Sequence, residues 1–162
     1  MKRVRIIRGI PGCGKSTYVK MLLDRYEVSP DDTVVCSADD FFMVPSVVDG
    51  TSTVEYRFDP TKLAQAHTYC MAKFIDAVHS GVELVIVDNT FVHHWELKNY
   101  IKLANYLGYE TSVHEIRVET LEQLKVCIKK NVHGVPADVI ARMALEFEPL
   151  ETAVQIRFEN SL

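Results

Sequence analysis

A chain of 162 residues, 48% apolar and 25% charged, is large enough to build one ordinary hydrophobic core, and the absence of low-complexity tracts and internal repeats excludes disordered and solenoid architectures. Its formal net charge of −4 excludes a broad basic face along a nucleic-acid backbone, so a polynucleotide would be held only by a short end. Met1 to Arg8 holds no long apolar segment, and Cys13, Cys36, Cys70 and Cys127 stand far apart without metal-ligand spacing; reduced thiols, no membrane partner and a cytoplasmic location, or a nuclear one in a eukaryote, are expected.

In chain order, Arg3 to Arg8 predicts the first strand. Lys15 to about Tyr26 predicts a helix with Tyr18, Val19, Leu22, Leu23 and Tyr26 on one side. Thr33 to Ser37 is a short second strand after the Pro30-Asp31-Asp32 turn. The apolar stretch from Phe41 through Val44, Val47, Val48, Tyr56 and Phe58 reads as a connection that either packs over the core or stacks on a ligand. A long helix follows from about Pro60 to His79, with Leu63, Ala66, Cys70, Phe74, Ala77 and Val78 at helical spacing. Leu84 to Val87 is a continuous apolar run, as in a parallel strand covered on both faces. Trp95 to Leu107 is the next helix, closed by Gly108, and Thr111 to Val118 alternates as a further strand. Leu121 to Lys130 and Pro136 to Phe147 are the last helices, Pro136 suiting a first helical position. Beyond residue 147, Val154, Ile156 and Phe158 could form an edge strand. Alternation of this kind predicts one domain over residues 1–162, a three-layer α/β/α sandwich with a mainly parallel sheet.

Gly9-Ile10-Pro11-Gly12-Cys13-Gly14-Lys15-Ser16 fills the pattern G-x-x-x-x-G-K-[ST] between the first strand and the first helix. Glycines there permit a tight turn whose backbone N–H groups point inward at phosphate oxygens. Lys15 adds a charge on the β- and γ-phosphates, and the Ser16 hydroxyl is placed to ligate Mg²⁺, so ATP with Mg²⁺ is the expected ligand. In open α/β sheets ligands bind beyond the carboxyl ends of the strands. Ser37-Ala38-Asp39-Asp40 follows the second strand, where one carboxylate can accept the proton of an attacking hydroxyl while the other caps the next turn. Asp88-Asn89-Thr90 follows the third, and Asp88 can hold Mg²⁺ through water, orient an acceptor, or cap the next helix. Arg8 is expected to pair with a carboxylate under the loop, Asp88 being one candidate.

Five blocks carry a resemblance: Gly9 to Thr17, Ser37 to Phe42, Tyr56-x-Phe58-Asp59-Pro60 with Ala66-His67, Val87 to Thr90, and Lys130-Asn131-x-His133-Gly134-Val135-Pro136. Together, over residues 2–147, they resemble the P-loop kinase domain of the NEDD4-binding-protein-2-like group and, more distantly, the kinase domain of bacteriophage polynucleotide kinase. That resemblance implies transfer of the γ-phosphate of ATP to a 5′-hydroxyl end of DNA or RNA. A small-molecule or nucleoside acceptor on the same scaffold, or a non-catalytic ATP-binding regulatory module, is the alternative. It implies Asp39 as general base and Lys15 and Lys130 as further catalytic groups. Gly12, Cys13, Gly14, Lys15, Ser16, Thr17 and Lys129 would hold the nucleotide, Ser16 and Asp88 the Mg²⁺, and Asp88, Asp40 and Arg57 the acceptor. Residues 129–136 match the basic lid over the phosphates. Phe42 stands where the phage enzyme has arginine, and the lid arginine is Lys130; a point charge does not reproduce the planar guanidinium fork. Arg57 is a candidate to supply the missing guanidinium.

Overall fold

Residues 1–158 are described by a computed structural model. Strands β1 (Arg3–Arg8) and β2 (Thr33–Cys36) are joined through helix α1 (Lys15–Tyr26). A hairpin, β3 (Met43–Val48) and β4 (Thr51–Tyr56), precedes α2 (Leu63–His79) and β5 (Leu84–Asn89). Helix α3 (His94–Tyr106), β6 (Glu110–Ile116), α4 (Leu121–Lys130), α5 (Ala137–Glu146) and β7 (Val154–Ile156) complete the order. The main sheet runs β2-β5-β1-β6-β7, every neighbouring pair parallel.

Alternation along the central strands divides the core. Val4, Ile6, Val85 and Val87 face Ala66, Cys70 and Phe74 of α2 and Leu97, Tyr100 and Ala104 of α3, whereas Ile7, Leu84 and Ile86 face Val19 and Leu22 of α1. Two covered faces explain why β5 reads as an unbroken apolar run, and each fully buried Leu or Ile contributes about 1.5–3 kcal/mol. A third cluster lies beside the carboxyl end of β1 and β6, where Ile10, Cys13 and Ile116 meet Cys127 of α4 and Ile140 of α5.

The stretch from Met43 to Tyr56, expected as a connection, is an antiparallel hairpin in register from Met43↔Tyr56 to Val48↔Thr51. Its turn is Asp49-Gly50, both at positive φ (51° and 75°), the combination that matches strand twist in a two-residue hairpin loop. Ends also shift. Pro60–Lys62 forms a separate 3-10 turn whose Thr61 N–H is capped by Asp59, so α2 starts at Leu63. Pro136 lies outside α5 as its extended cap (ψ 145°), not in the first helical position, and Gly108 sits one residue past the cap of α3, at φ 78°. The expected edge strand covers Val154–Ile156 and leaves Phe158 outside it.

Candidate active site

The strand order β2-β5-β1 brings three strand ends side by side, and with them the residues that follow: Asp39 after β2, Asp88 at the end of β5, and the glycine-rich loop after β1. Within the loop Gly12 (φ 79°) and Gly14 (φ 103°) take left-handed backbone that other residues adopt only under strain. A Cβ on Gly12 would fall onto the carbonyl oxygen of Cys127 in α4, so the loop is packed hard against that helix. A Cβ on Gly14 would meet nothing within 4 Å, which leaves that side of the loop open. Cys13 turns its thiol inward beneath the loop, and burial pushes that thiol upward from its ordinary range, so Cys13 offers a ligand only its backbone. The Lys15 ammonium donates to the carbonyls of Gly9 at 2.9 Å and Ile10 at 3.2 Å, and Ser16 and Thr17 are exposed in the first turn of α1. A helix N-terminus behind a nest of N–H groups is a ready anion site.

Asp39 and Asp40 lie on a 3-10 turn (Ala38–Phe42). The cap expected of one of them is made by neither: the Ser37 hydroxyl accepts from the Asp39 N–H at 3.3 Å. Their carboxylates diverge. Asp40 points at Lys73 of α2, 3.6 Å away. Asp39 accepts a hydrogen bond from the Tyr56 phenol on Oδ1 at 3.0 Å, while His133 Nε2 stands 3.5 Å from its Oδ2. The Tyr56 and His133 rings lie 4.6 Å apart, and Phe42 meets the Tyr56 ring edge-on at 6.0 Å. Burial, and then the Asp39 charge, pushes the Tyr56 phenol well above its usual range, so it remains a donor. The turn itself is tied to β5 by Asn89, whose buried amide accepts from the Ala38 N–H at 2.9 Å and donates to the Cys70 thiol at 3.4 Å.

Asp88 caps no helix; His93 precedes α3, its N–H donating to Glu96 at 2.8 Å. Its Oδ1 is buried with no hydrogen-bond partner among the described residues. Burial raises the carboxyl from its ordinary range; Lys15 opposes this, Asp39 and Asp40 add to it, and His133 opposes it more weakly. An unpaired buried carboxylate oxygen costs about 1–3 kcal/mol, a cost that a cation or its water shell would remove. The oxygen donors of Ser16 and Asp88, hard and close to an anion nest, fit Mg²⁺ bound with a triphosphate.

Lys129 and Lys130 end α4, the first exposed and the second half-buried. Beyond them the Asn131 side chain folds the chain back on itself: its amide donates to the Val135 carbonyl at 2.6 Å and accepts from the His133 N–H at 3.2 Å, with Gly134 at φ 68°. That small loop presents His133 to Asp39.

One expectation about arginines changes. Arg8 is fully buried and pairs not with Asp88 but with Glu115 of β6, at 2.8 Å. It also donates to the carbonyls of Phe91, Val92 and Glu148 and stacks 4.1 Å from the centre of the Phe147 ring. Arg57, proposed from sequence for acceptor phosphate, is exposed and pairs with Glu55 at 2.9 Å. Sequence reasoning read Tyr56 only as core cover or a stacking surface and attached no role to Asn89; both lie in quoted motifs, but nothing local says that either reaches the Asp39 turn.

A five-stranded parallel sheet with helices on both faces and a phosphate loop at the end of its central strand defines a P-loop domain of the kinase-like class. Residues 4–150 match the AAA_33 family, described as an AAA domain, and the chain belongs to that family. It is similar to NEDD4-binding protein 2 of Homo sapiens, 29% identical over 143 residues, and to the 2′,3′-cyclic-nucleotide 3′-phosphodiesterase of Pongo abelii, 27% identical over 114 residues. Those matches cover 88% and 70% of this chain but only 7% and 24% of the two relatives. Among solved structures, a gluconokinase from Sinorhizobium meliloti aligns with a TM-score of 0.57 at 10% identity, covering 96% of this chain and 82% of that one. A structure from the PezAT toxin–antitoxin system of Streptococcus pneumoniae aligns at 0.61 and 13% identity, covering 90% and 61%. At such identities the likeness is one of fold. Among the described residues no helix is long and apolar enough to cross a membrane.

Proposed function

We propose that this domain is an ATP-dependent kinase that phosphorylates the 5′-hydroxyl end of DNA or RNA. The observation that carries the reading is Asp39: a half-exposed carboxylate, fixed by Tyr56, on the turn that follows β2 and is held to β5 by Asn89 beside the phosphate loop. In the proposed reaction the acceptor oxygen attacks the γ-phosphorus in line, the bond to the bridging β–γ oxygen breaks, ADP leaves, and the hydroxyl proton passes to Asp39. Backbone N–H groups from Gly12 to Ser16 hold the β- and γ-phosphates, and Lys15 exchanges its two carbonyl partners for phosphate oxygens. Ser16, and Asp88 through water, would hold Mg²⁺, which would neutralise charge on those oxygens when bound. Lys130, with Lys129 beside it, lies on the lid side, where charge spreads over the transferred group. Asp88, Asp40 and Arg57 remain the proposed acceptor contacts, with Asp40 and Arg57 first released from Lys73 and Glu55.

A small alcohol acceptor is the second reading, favoured by the net charge of −4 and by ion pairs that engage Lys73 and Arg57 near the site. The deciding assay is transfer of labelled γ-phosphate from ATP and Mg²⁺ to 5′-hydroxyl DNA and RNA oligonucleotides, beside 5′-phosphorylated controls. Label on hydroxyl ends alone, lost in Lys15→Ala and reduced by about 10²–10⁴ in Asp39→Asn, supports the proposal. ATP binding with no labelled end refutes the nucleic-acid acceptor, and a fully active Asp39→Asn beside an inactive Asp40→Asn reverses the assignment of the pair.

A further inference from the structure

Charge is unevenly placed on the outside of this domain. Helix α3 begins at the carboxyl end of β5, on the side of the sheet where Asp88, the Asp39 turn and the phosphate loop meet, and it runs away from that side. At 3.6 residues per turn Trp95, Asn99, Lys102 and Tyr106 share one stripe, with Lys98 at its edge, while Leu97, Tyr100 and Ala104 are buried on the opposite face. Trp95 is 73% exposed and Tyr106 86%, for rings that ordinarily bury much of their surface. Lys98 and Lys102 are exposed as well, and neither forms an ion pair among the described residues. The one acid of the helix, Glu96, lies off the stripe and accepts from the His93 N–H at 2.8 Å. Glu148, which approaches the start of the helix, is engaged by His93 and His94. A chain of net charge −4 therefore presents here two unpaired cations between two open rings.

We propose that this stripe of α3 is the track for the body of the acceptor: a single nucleic-acid strand whose 5′ end reaches Asp39 lies along it, with bases on the Trp95 and Tyr106 rings and phosphates at Lys98 and Lys102. Rings on which bases stack, combined with cations that follow the backbone, are the means by which single strands are held without regard to sequence. The occupant is a strand and not a duplex, because a base must leave its neighbours to lie on a side-chain ring. From Trp95 to Tyr106 the helix rises about 16 Å, the length of about five nucleotides at their stacked spacing. Two lysines on a narrow stripe also agree with a net charge that excludes only a broad basic face. The inference rests on the nucleic-acid reading of the acceptor and extends it from the terminal hydroxyl to the nucleotides behind it.

Trp95 is the only tryptophan of the chain, so its emission reads this face directly. The protein is titrated with oligo-dT and oligo-U of about ten nucleotides, as separate arms, and with polyglutamate. Stacking should quench the emission with either strand and not with polyglutamate. Two phosphate contacts give a slope of about −1.4 in log affinity against log salt, a loss of about seven-fold between about 50 and about 200 mM. Lys98→Ala/Lys102→Ala should flatten that slope, and Tyr106→Ala should weaken binding at least about five-fold. Lys20→Ala, exposed on α1 across the sheet, should leave both unchanged. All the replaced side chains are exposed, so melting temperatures should stay at the wild-type value. No quenching by either strand at the lower salt overturns the track. A slope that survives the double lysine variant overturns it too, as does equal quenching by polyglutamate or by a ten-base-pair duplex. Labelling of 5′-hydroxyl ends is scored separately. Ends labelled equally well on a dinucleotide and a decamer, without quenching, discard the track alone; quenching with no labelled end discards the kinase reading alone.

Discussion

Replacing Arg8 by Met tests the buried network that ties the phosphate-loop strand to the rest of the sheet. Arg8 and Glu115 are both fully buried, 2.8 Å apart. Breaking a buried pair by removing one partner costs about 3–5 kcal/mol, because the other charge stays buried. Here Glu115 keeps Arg117 at 2.7 Å and the Leu150 N–H at 3.3 Å, which places its own penalty at the lower end. The Phe91 carbonyl loses its donor at the same time, whereas the Val92 carbonyl keeps the Glu148 N–H at 2.9 Å and the Glu148 carbonyl keeps His94 Nε2 at 3.0 Å. Together these give an expected loss of about 4 kcal/mol, a large part of the about 5–15 kcal/mol that holds a domain together, and about 8–16 °C in melting temperature. Glu115→Gln alone should cost about 3 kcal/mol by leaving the guanidinium short of charge. Urea unfolding followed by far-ultraviolet circular dichroism, applied to both single variants and the double, reads the coupling. The double should lose about 2 kcal/mol less than the sum of the singles. A loss below about 1 kcal/mol in Arg8→Met, or strict additivity in the double, would refute the claim that this pair is one unit.

Gly12→Ala should cost at least about 2 kcal/mol and remove ATP binding, because it combines a strained φ of 79° with a collision against the Cys127 carbonyl; retained ATP affinity by calorimetry would show that the loop relaxes freely. His114 gives a pH dependence of stability. Burial, and then Arg5, lowers its pKa from 6.5 to about 4, and its ring bonds the Tyr18 hydroxyl at 2.6 Å and the Ser112 hydroxyl at 2.8 Å. Between those two values the unfolded chain binds the proton and the folded chain does not, so stability present at pH 7 is lost as pH falls from about 6.5 toward about 4. The expected loss is on the order of 2 kcal/mol across that window. His114→Gln should flatten that part of the urea-midpoint profile, and an unchanged profile would mean that another group carries it.

The elements that sequence reasoning placed well are those where one residue pattern has one physical meaning. The run Leu84 to Val87 can only be comfortable covered on both sides, and the loop glycines between a strand and an amphipathic helix leave few alternatives. The hairpin escaped because its residues are mostly exposed, so burial imposed no alternation, and Pro45 argued against a strand; Asp49-Gly50 was the available signal. Arg8 was rightly expected to seek a carboxylate, but its partner lies directly across from it in the β1–β6 register. Choosing Glu115 over Asp88 required the strand order, which no local pattern encodes. Of the candidate site, the phosphate loop and the acidic pair were legible. That Ser37 makes the cap is a contact only two residues long, which the pattern left open between Ser and Asp. That Tyr56 and His133 converge on Asp39 depends on contacts across 17 residues and more.

The missing side chain of Gly12 has a mechanical consequence. The backbone of Cys127 fills the space where that side chain would project, and the Cys127 thiol is itself fully buried. Helix α4 is thereby pinned to the floor of the phosphate loop by direct backbone contact, so a swing of the whole helix would have to drag the loop with it. Relative motion between α4 and the loop is confined to the chain beyond Cys127, the last turn with Lys129 and Lys130 and the small loop with His133. The domain thus has a fixed floor and a short latch in covalent succession. A change in loop shape would reach that latch through this backbone contact and through the packing of Ile10 and Cys13 with Cys127 beside it.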